Sequence, residues 1–278
     1  CWDEVGGSIA CTETTQDGDI DSVSKSFTDN GDGTITDEHT GLLWQKTPYN
    51  DSGNGVNWTE SLDYCNQLTL AAESDWRLPT ILELLTLIDV GYPSNSYENA
   101  VFDWDQTATE YWSSTTNMRW KNSAQKVGFD GGVNGDGVVY GATKDTKTSG
   151  YAARCVRGIA TGQELHTGQI KCYNASGGEI ACSGTGQDAD VDGVSKNFIA
   201  NSDNTVTDGY TGLMWLDTTS SAVNWTGALN YCKGRNLCDD GSFLVDCSSN
   251  GGVKYDDFRL PTVLELYGVY DLHCEGTI

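Results

Sequence analysis

Two runs of alternating aspartates supply the side chains whose type and spacing could bind a metal ion. They are Asp17, Asp19, Asp21, Asp188, Asp190 and Asp192. On a strand or an extended loop, alternate side chains lie on one side, so each set of three carboxylates could converge on a hard cation. The alternative is a solvated acidic loop. The sequence therefore predicts calcium as the candidate cofactor of these two sets, and no other cofactor.

A second acidic stretch, residues 29–37, looks like half of an EF-hand. With Gly33 at the sixth position of the loop, the first and last positions would be Thr28 and His39, where carboxylates are needed. The Asn-Gly and Asp-Gly steps favour positive φ and lie between strand-forming residues. We therefore predict a β-hairpin turn here, and a second turn at residues 201–204.

An internal repeat organises the chain. Cys1 and Trp44 recur as Cys172 and Trp215, and the same register holds over more than forty residues. The period is far longer than that of a solenoid repeat, which indicates tandem domains. We predict a complete first domain at 1–158, a linker at 159–171 and a second copy at 172–278.

The second copy lacks the counterpart of roughly residues 97–158. Two explanations remain open. Either the chain belongs to a longer protein, or the missing strands are supplied by another molecule. An incomplete sheet presents unpaired edges that invite strand addition, so the second explanation would make this chain a subunit of a polymer.

The spacing of the ten cysteines and the comparison of the two copies predict four disulfides: Cys1–Cys11, Cys65–Cys155, Cys172–Cys182 and Cys238–Cys247. The two short loops would staple hairpins, and the last pair would close an insertion in the second copy. Cys232 and Cys274 remain. They could pair with each other, or the partner of Cys232 could lie in the missing segment. No CxxC pair is present, so zinc is not expected.

Each copy is predicted to contain two helices. Thr59 is the expected N-cap of the first, and Thr80 with Glu83 forms a capping box that begins the second. Thr262 with Glu265 repeats this box. Elsewhere, short aromatic and β-branched runs alternate with Gly and Asn turns, as in 111–115 and 138–140. The expected fold class is α+β, with antiparallel strands, disulfides and long loops.

Composition limits the partners and the compartment. The 278 residues include 40 acidic and 16 basic ones, which gives a net charge of −24, and the basic residues form no run. Such a surface repels nucleic acid. Ten cysteines, 33 glycines and the lack of a long apolar run indicate an extracellular, disulfide-stabilised protein with no membrane span.

Several motifs in order resemble one known bacterial family. They are the stretches 27–37, 40–44, 75–80, 111–114 and 154–157, together with Trp58 and Tyr64-Cys65. This set is similar to the C-terminal domain of the Legionella collagen-like adhesin, whose family was long catalogued as a domain of unknown function. The resemblance implies a C-type-lectin-like architecture akin to the formylglycine-generating enzyme fold, in a bacterial extracellular or cell-surface setting. Membership of a fold does not transfer chemistry.

The tryptophans and the arginine of these motifs each allow two interpretations. Trp44, Trp58, Trp76 and Trp112 could form a platform on which sugars stack, but in a small disulfide-rich domain such residues more often fill the core. Arg77 could grip an anionic ligand or pair with a buried carboxylate. In both cases we expect the structural role.

The expected function is non-enzymatic. The sequence contains no GxSxG, HExxH, phosphate-binding loop or GxGxxG motif, and eight of the ten cysteines have a structural partner. We predict an adhesion or carbohydrate-binding module whose partner is a glycan or another cell-surface ligand. The alternative is a structural subunit of an extracellular filament or surface assembly, in which the partner is a copy of the same chain that completes the second domain.

Overall fold

A computed structural model describes residues 1, 8–12, 16, 25–88, 100–103, 109–129, 142–160, 165–218 and 221–269. By its contacts the chain divides into two compact units. The larger consists of Lys25–Lys196 with Tyr270–Ile278, and the smaller of Cys1–Ser24 with Asn197–Val269. The sequence repeat begins at residue 172, so the first 25 residues of the second copy belong to the larger unit.

The described part of the larger unit is built on small antiparallel sheets. Its strands are β1 (Phe27–Asp29), β2 (Thr34–Asp37), β3 (Leu43–Gln45), β4 (Glu110–Thr116), β5 (Ser123–Gly128), β6 (Ala142–Thr146), β7 (Val156–Arg157), β8 (Cys172–Tyr173) and β9 (Glu179–Ile180). They form a sheet in the order β1-β2-β3-β7, a sheet in the order β4-β5-β6 and the hairpin β8-β9. The β1–β2 pairing confirms the predicted turn after residue 29.

The described part of the smaller unit holds two three-stranded sheets. The strands are β10 (Phe198–Ala200), β11 (Thr205–Asp208), β12 (Met214–Leu216), β13 (Asn236–Cys238), β14 (Phe243–Leu244) and β15 (Val253–Tyr255). The orders are β10-β11-β12 and β14-β13-β15. β10 to β12 lie 171 positions after β1 to β3, and the predicted turn at 201–204 joins the first two.

Five helices lie in the described residues: α1 (Trp58–Gln67), α2 (Ile81–Thr86), α3 (Asp188–Val191), α4 (Trp225–Cys232) and α5 (Val263–Val269). A single 3₁₀ turn spans Asp51–Gly53. The predicted N-cap of α1, Thr59, is wrong: Asn57 caps this helix and forms a capping box with Glu60. Asn accepts an amide as well as Thr does, and its place two residues earlier puts Glu60 at the third helical position.

The predicted capping box of α2 is confirmed, and an arginine reinforces it. Thr80 accepts the amide of Glu83, whose carboxylate returns to the amide of Thr80. The same carboxylate receives two bonds from Arg77, at 2.7 and 2.6 Å. In the second copy, Arg259 binds Glu265 in the same bidentate manner, and Glu265 accepts the amide of Thr262. The repeat thus preserves this ion pair in atomic detail.

The core of the larger unit surrounds the Cys65–Cys155 disulfide. Trp58, Trp76 and Trp112 pack in this cluster and are each at most 2% exposed. Each indole N–H donates to a backbone carbonyl, that of Ser113, Leu70 or Val56. Trp44 is fully buried as well. The tryptophans therefore have the structural role that we expected, and no sugar can stack on them.

The architecture is a mixed α+β arrangement of several small antiparallel sheets, five helices and disulfides in the described residues. The predicted strand at 138–140 lies outside those residues. No described helix is both long enough and apolar enough to cross a bilayer.

We expect Glu83→Gln to destabilise the larger unit by about 3 kcal/mol, because it leaves Arg77 nearly buried without a carboxylate. Glu60→Gln is the matched control, since Glu60 occupies the same capping position of α1 but is exposed. Its effect should stay below about 0.5 kcal/mol. Urea unfolding of the full chain measures both, and equal losses would contradict the role assigned to the ion pair.

Candidate functional site

The arginines of the recognisable motifs hold the fold together. Arg77 is occupied by Glu83, and Arg157 binds Asp75 and Glu73. Arg154 is fully buried and donates to backbone carbonyls, including that of Asp103 at 2.8 Å. These guanidinium groups are committed to protein acceptors, so the motif arginines do not form an anion site. A functional surface must lie elsewhere.

The start of the second copy packs on the body of the first. We call residues 25–160 the first body and residues 165–196 the second element. The amide side chain of Gln169 pairs with the backbone of Thr116 at the end of β4, accepting its N–H at 3.1 Å and donating to its carbonyl. Lys147 of the first body donates to the carbonyl of Tyr173 at 2.9 Å. The Cys172–Cys182 hairpin and α3 are thereby fixed against the β4-β5-β6 sheet.

Asp188 is completely buried in this contact. Its carboxylate is fully enclosed and accepts hydrogen bonds from the hydroxyls of Thr115, at 2.5 Å, and Thr167, at 2.8 Å. Burial raises the pKa of Asp188 to about 7, and the nearby carboxylates of Asp192 and Glu83 act in the same direction. Two hydroxyls are weaker partners for a buried carboxylate than a cation would be, so protonation near neutral pH is the physical consequence.

The three aspartates of the second predicted calcium set have separate partners. Asp188 turns inward, Asp190 accepts the amide of Gly186, and Asp192 lies 2.6 Å from Nδ1 of His166. They belong to the short helix α3 and its C-cap rather than to an extended loop. Among the described residues, no group of three or more candidate ligands gathers around one point. Asp17, Asp19 and Asp21 lie outside the described residues, and calcium binding stays a prediction.

Lys147 was not among the residues predicted from the sequence. Only 1% of it is exposed, and its Nζ lies 3.9 Å from the centre of the Trp58 ring. Burial lowers the pKa of Lys147 to about 7, while the carbonyl of Tyr173 and the face of Trp58 favour the ammonium form. Lys147 thus links the core of the first body to the second element.

Glycine permits close approach at the tip of the β8–β9 hairpin. Gly177 has φ of +85°, and a Cβ there would lie 3.0 Å from the amide nitrogen of Asn122 and 3.1 Å from the carbonyl carbon of Lys121. Backbone atoms cannot rotate away as a side chain can. The hairpin of the second element therefore fits the β4–β5 turn only with glycine at this position.

A basic and aromatic patch lies on the β4–β5 turn of the first body. Trp120 is 45% exposed, with the guanidinium of Arg119 at 4.7 Å and Nζ of Lys144 at 3.8 Å from its ring. The side chain of Asn117 accepts the amides of Arg119 and Trp120 and so fixes the turn. We call Arg119, Trp120, Lys121 and Lys144 the Trp120 patch. It could have been suspected from residues 117–129, which hold three basic and no acidic residues.

The four disulfides in the structure match the predicted pairs: Cys1–Cys11, Cys65–Cys155, Cys172–Cys182 and Cys238–Cys247. Cys232 has no disulfide partner among the described residues. Cys274, its suggested partner, lies outside them. The thiol of Cys232 is half-buried, and burial raises its pKa, so no activated thiolate is indicated there.

Comparison with known proteins finds one family model that matches part of the chain. Residues 33–157 match the model of the Lcl C-terminal domain, which supports the family resemblance for this part of the chain. No curated protein and no solved structure matches the chain. The matched region contains most of the first body and the whole Trp120 patch.

We expect Asp188 to lower the stability of the larger unit as the pH rises from about 4 to 7. The pKa of Asp188 is raised from 3.8 to about 7, so its stabilising contribution is complete below pH 4 and is lost as the pH rises through 7. The slope should approach about 1.4 kcal/mol per pH unit between these limits. Asp188→Asn should abolish this slope in urea unfolding across pH, whereas Asp190→Asn, on the same helix, should leave it. An unchanged slope in Asp188→Asn would contradict the assignment.

Gly177→Ala should weaken the packing of the second element by about 1 to 3 kcal/mol more than Gly184→Ala does. Both glycines have positive φ, but a Cβ at Gly184 would meet nothing within 4 Å. The control therefore shares the backbone strain and lacks the collision. Protection of the Thr116 amide from hydrogen exchange measures the loss, and equal protection in both variants would argue against the close contact.

Proposed function

We propose that this protein is a non-enzymatic bacterial surface protein that binds anionic glycans through the Trp120 patch. The observation that carries the proposal is an exposed indole with two cations on its ring, in a chain of net charge −24. Cations at this spacing can pair with sulfate or uronate groups, and the indole supplies an apolar surface for a sugar ring.

The disulfides and the family match agree with a protein that attaches to a surface. Four disulfides stabilise the chain, as is usual in extracellular proteins, and residues 33–157 match a domain family of the kind that ends a bacterial adhesin. A C-type-lectin-like fold for both repeats is part of the proposal. Such a fold binds ligands through loops that a rigid core holds in place, and the β4–β5 turn is a loop of that kind.

Electrostatics permit a polyanion to bind despite the negative net charge. At physiological ionic strength, charges more than about 8 Å apart in solvent are largely screened from each other. Residues 117–129 contain no acidic side chain, so this segment itself carries only positive charge. The acidic remainder of the surface then limits binding to this patch and disfavours non-specific association.

The patch is also well ordered for recognition. Asn117 fixes the turn, the amide of Ser123 donates to the carbonyl of Trp120 at 2.7 Å, and Lys144 comes from the neighbouring strand β6. A preformed site loses less entropy on binding than a flexible loop does. The backbone that carries Arg119 and Trp120 is therefore fixed before the ligand arrives.

A structural role in a surface assembly is the second candidate, favoured by one specific observation. Trp225, Val263 and Leu266 of the second copy are 49%, 52% and 53% exposed. Their counterparts in the first copy are at most 1% exposed: Trp58, Ile81 and Leu84. Apolar side chains that are buried in one copy and exposed in the other are what we would expect where another polypeptide covers the second copy.

Arg119→Glu should abolish binding to immobilised dextran sulfate, because it reverses one of the two charges on the Trp120 ring. Arg235→Glu is the matched control, since Arg235 lies 4.6 Å from the ring of Tyr231 in the smaller unit. It makes the same change in net charge and should leave binding within about twofold. Uncharged dextran serves as the reference surface.

Trp120→Ala should weaken the same binding by about tenfold, the effect of one stacking contact. Binding that responds equally to Arg119→Glu and Arg235→Glu would show that net charge alone governs it and would refute the patch. Binding of the unchanged protein to uncharged dextran at the same strength would refute the preference for anionic glycans.

A further inference from the structure

The tip of the β8–β9 hairpin lies directly beside the Trp120 patch. A Cβ at Gly177 would lie 3.2 Å from the Cβ of Lys121, a member of the patch. Nζ of Lys121 lies 5.1 Å from the centre of the Tyr173 ring, which belongs to the hairpin. Both segments are parts of the larger unit. The junction between the first body and the second element therefore borders one end of the patch.

One lysine of the first body anchors both sides of this junction. The backbone amide of Lys147 donates to the carbonyl of Asn122 in the β4–β5 turn at 2.9 Å. Its Nζ donates to the carbonyl of Tyr173 in the hairpin, also at 2.9 Å. Because one residue binds the turn and the hairpin, the two keep a fixed position relative to each other.

The hairpin tip is open to solvent and held in one shape. Asn174, Ala175 and Ser176 are exposed. The side-chain oxygen of Asn174 accepts the amides of Ser176 at 3.0 Å and Gly178 at 2.9 Å. The amide of Asn174 and the hydroxyl of Ser176 are groups that can bind sugar hydroxyls. A ligand thus meets a preformed polar surface next to the patch.

The tip adds no negative charge, although the chain as a whole carries −24. Residues 171–178 contain no acidic side chain. Glu179, which follows them, is paired with Lys171 at 3.1 Å. The other acidic residues of the second element lie in α3 and at its C-cap. The tip is therefore the part of the second element that suits contact with an anionic chain.

The sequence repeat shows that a neutral tip is not required by the hairpin pattern. The first repeat has Asp3 and Glu4 at the positions of Asn174 and Ala175. The cysteines and glycines of the pattern are the same in both repeats. Carboxylates are thus compatible with this pattern, and they are missing from the copy whose tip borders the Trp120 patch.

We propose that the glycan site extends from Trp120 past Lys121 onto the hairpin tip at residues 174–178, and that its ligand is an extended anionic polysaccharide chain. This inference rests on the glycan binding proposed above and adds the second half of the site. The cations at the Trp120 ring bind one anionic group, and Lys121 lies where the chain crosses the junction. The polar groups of the tip then bind the sugars that follow.

The proposal makes the second element part of the binding site. The family match covers residues 33–157, so it includes the Trp120 patch and excludes the hairpin tip. The region that defines the family would then hold one part of the site, and the start of the second repeat would supply the other. Length of the bound chain is the property that this addition changes.

A double variant that restores the acids of the first repeat, Asn174→Asp with Ala175→Glu, tests the extension in the full chain. Aspartate can accept the same two backbone amides as Asn174, so the hairpin should keep its shape. Affinity for immobilised dextran sulfate should fall by about tenfold, because two carboxylates then border the bound anionic chain.

The matched control is Ala181→Glu with Ser183→Asp. Both residues are exposed and lie at the disulfide end of the same hairpin, away from its tip. The control makes the same change in net charge and should bind dextran sulfate within about twofold of the unchanged protein.

Three results would overturn the extension, and they separate it from the function on which it rests. Binding that the tip variant leaves intact, while Arg119→Glu abolishes it, would confine the site to the Trp120 patch. Equal losses in the tip variant and its control would mean that net charge alone governs binding. An unchanged protein that does not bind dextran sulfate would overturn both the proposed function and its extension.

Discussion

The Cys65–Cys155 disulfide is the constraint on which the larger unit depends. It joins α1 to the approach of β7 across 90 residues, and in the chain-entropy treatment a loop of that length is worth roughly 4 to 5 kcal/mol. Because β7 pairs with β3, the crosslink also closes the four-stranded sheet. Trp58, Trp76 and Trp112 pack around the sulfur atoms and bind backbone carbonyls, so the crosslink, the core and the sheet stabilise one another.

The structural roles of the motif residues explain why the recognisable motifs do not reveal a function. Their tryptophans are buried, and their arginines bind carboxylates and carbonyls of the same chain. The residues that define the family pattern therefore stabilise the fold. The proposed glycan site instead uses an exposed position that the core does not constrain, Trp120, on a turn between two strands. A rigid scaffold with variable loops is a common way to change ligands without changing the fold.

The contact between the first body and the second element has a different character from the core. It is polar, it encloses Asp188 and Lys147, and burial moves both of their pKa values towards 7. The two effects on stability have opposite signs. Deprotonation of Asp188 opposes the contact as the pH rises towards 7, and deprotonation of Lys147 relieves its burial penalty above 7. A polar contact of this kind is specific, and pH changes its stability. It therefore suits the joining of repeats better than a purely apolar contact would.

Local chemistry could be predicted from the sequence alone. The β1–β2 turn, the capping boxes of α2 and α5 and the four disulfides follow from residues that are near in sequence or from comparing the two copies. Even the misplaced N-cap of α1 was an error of two residues between two good capping side chains.

Interactions that depend on which surfaces meet could not be found in this way. The basic residues form no run, yet folding brings Lys144 to the ring of Trp120, and three alternating aspartates that predict one cation site turn towards three different partners. These contacts follow from the folded structure, because the partner of a side chain on a folded surface is set by packing between distant segments.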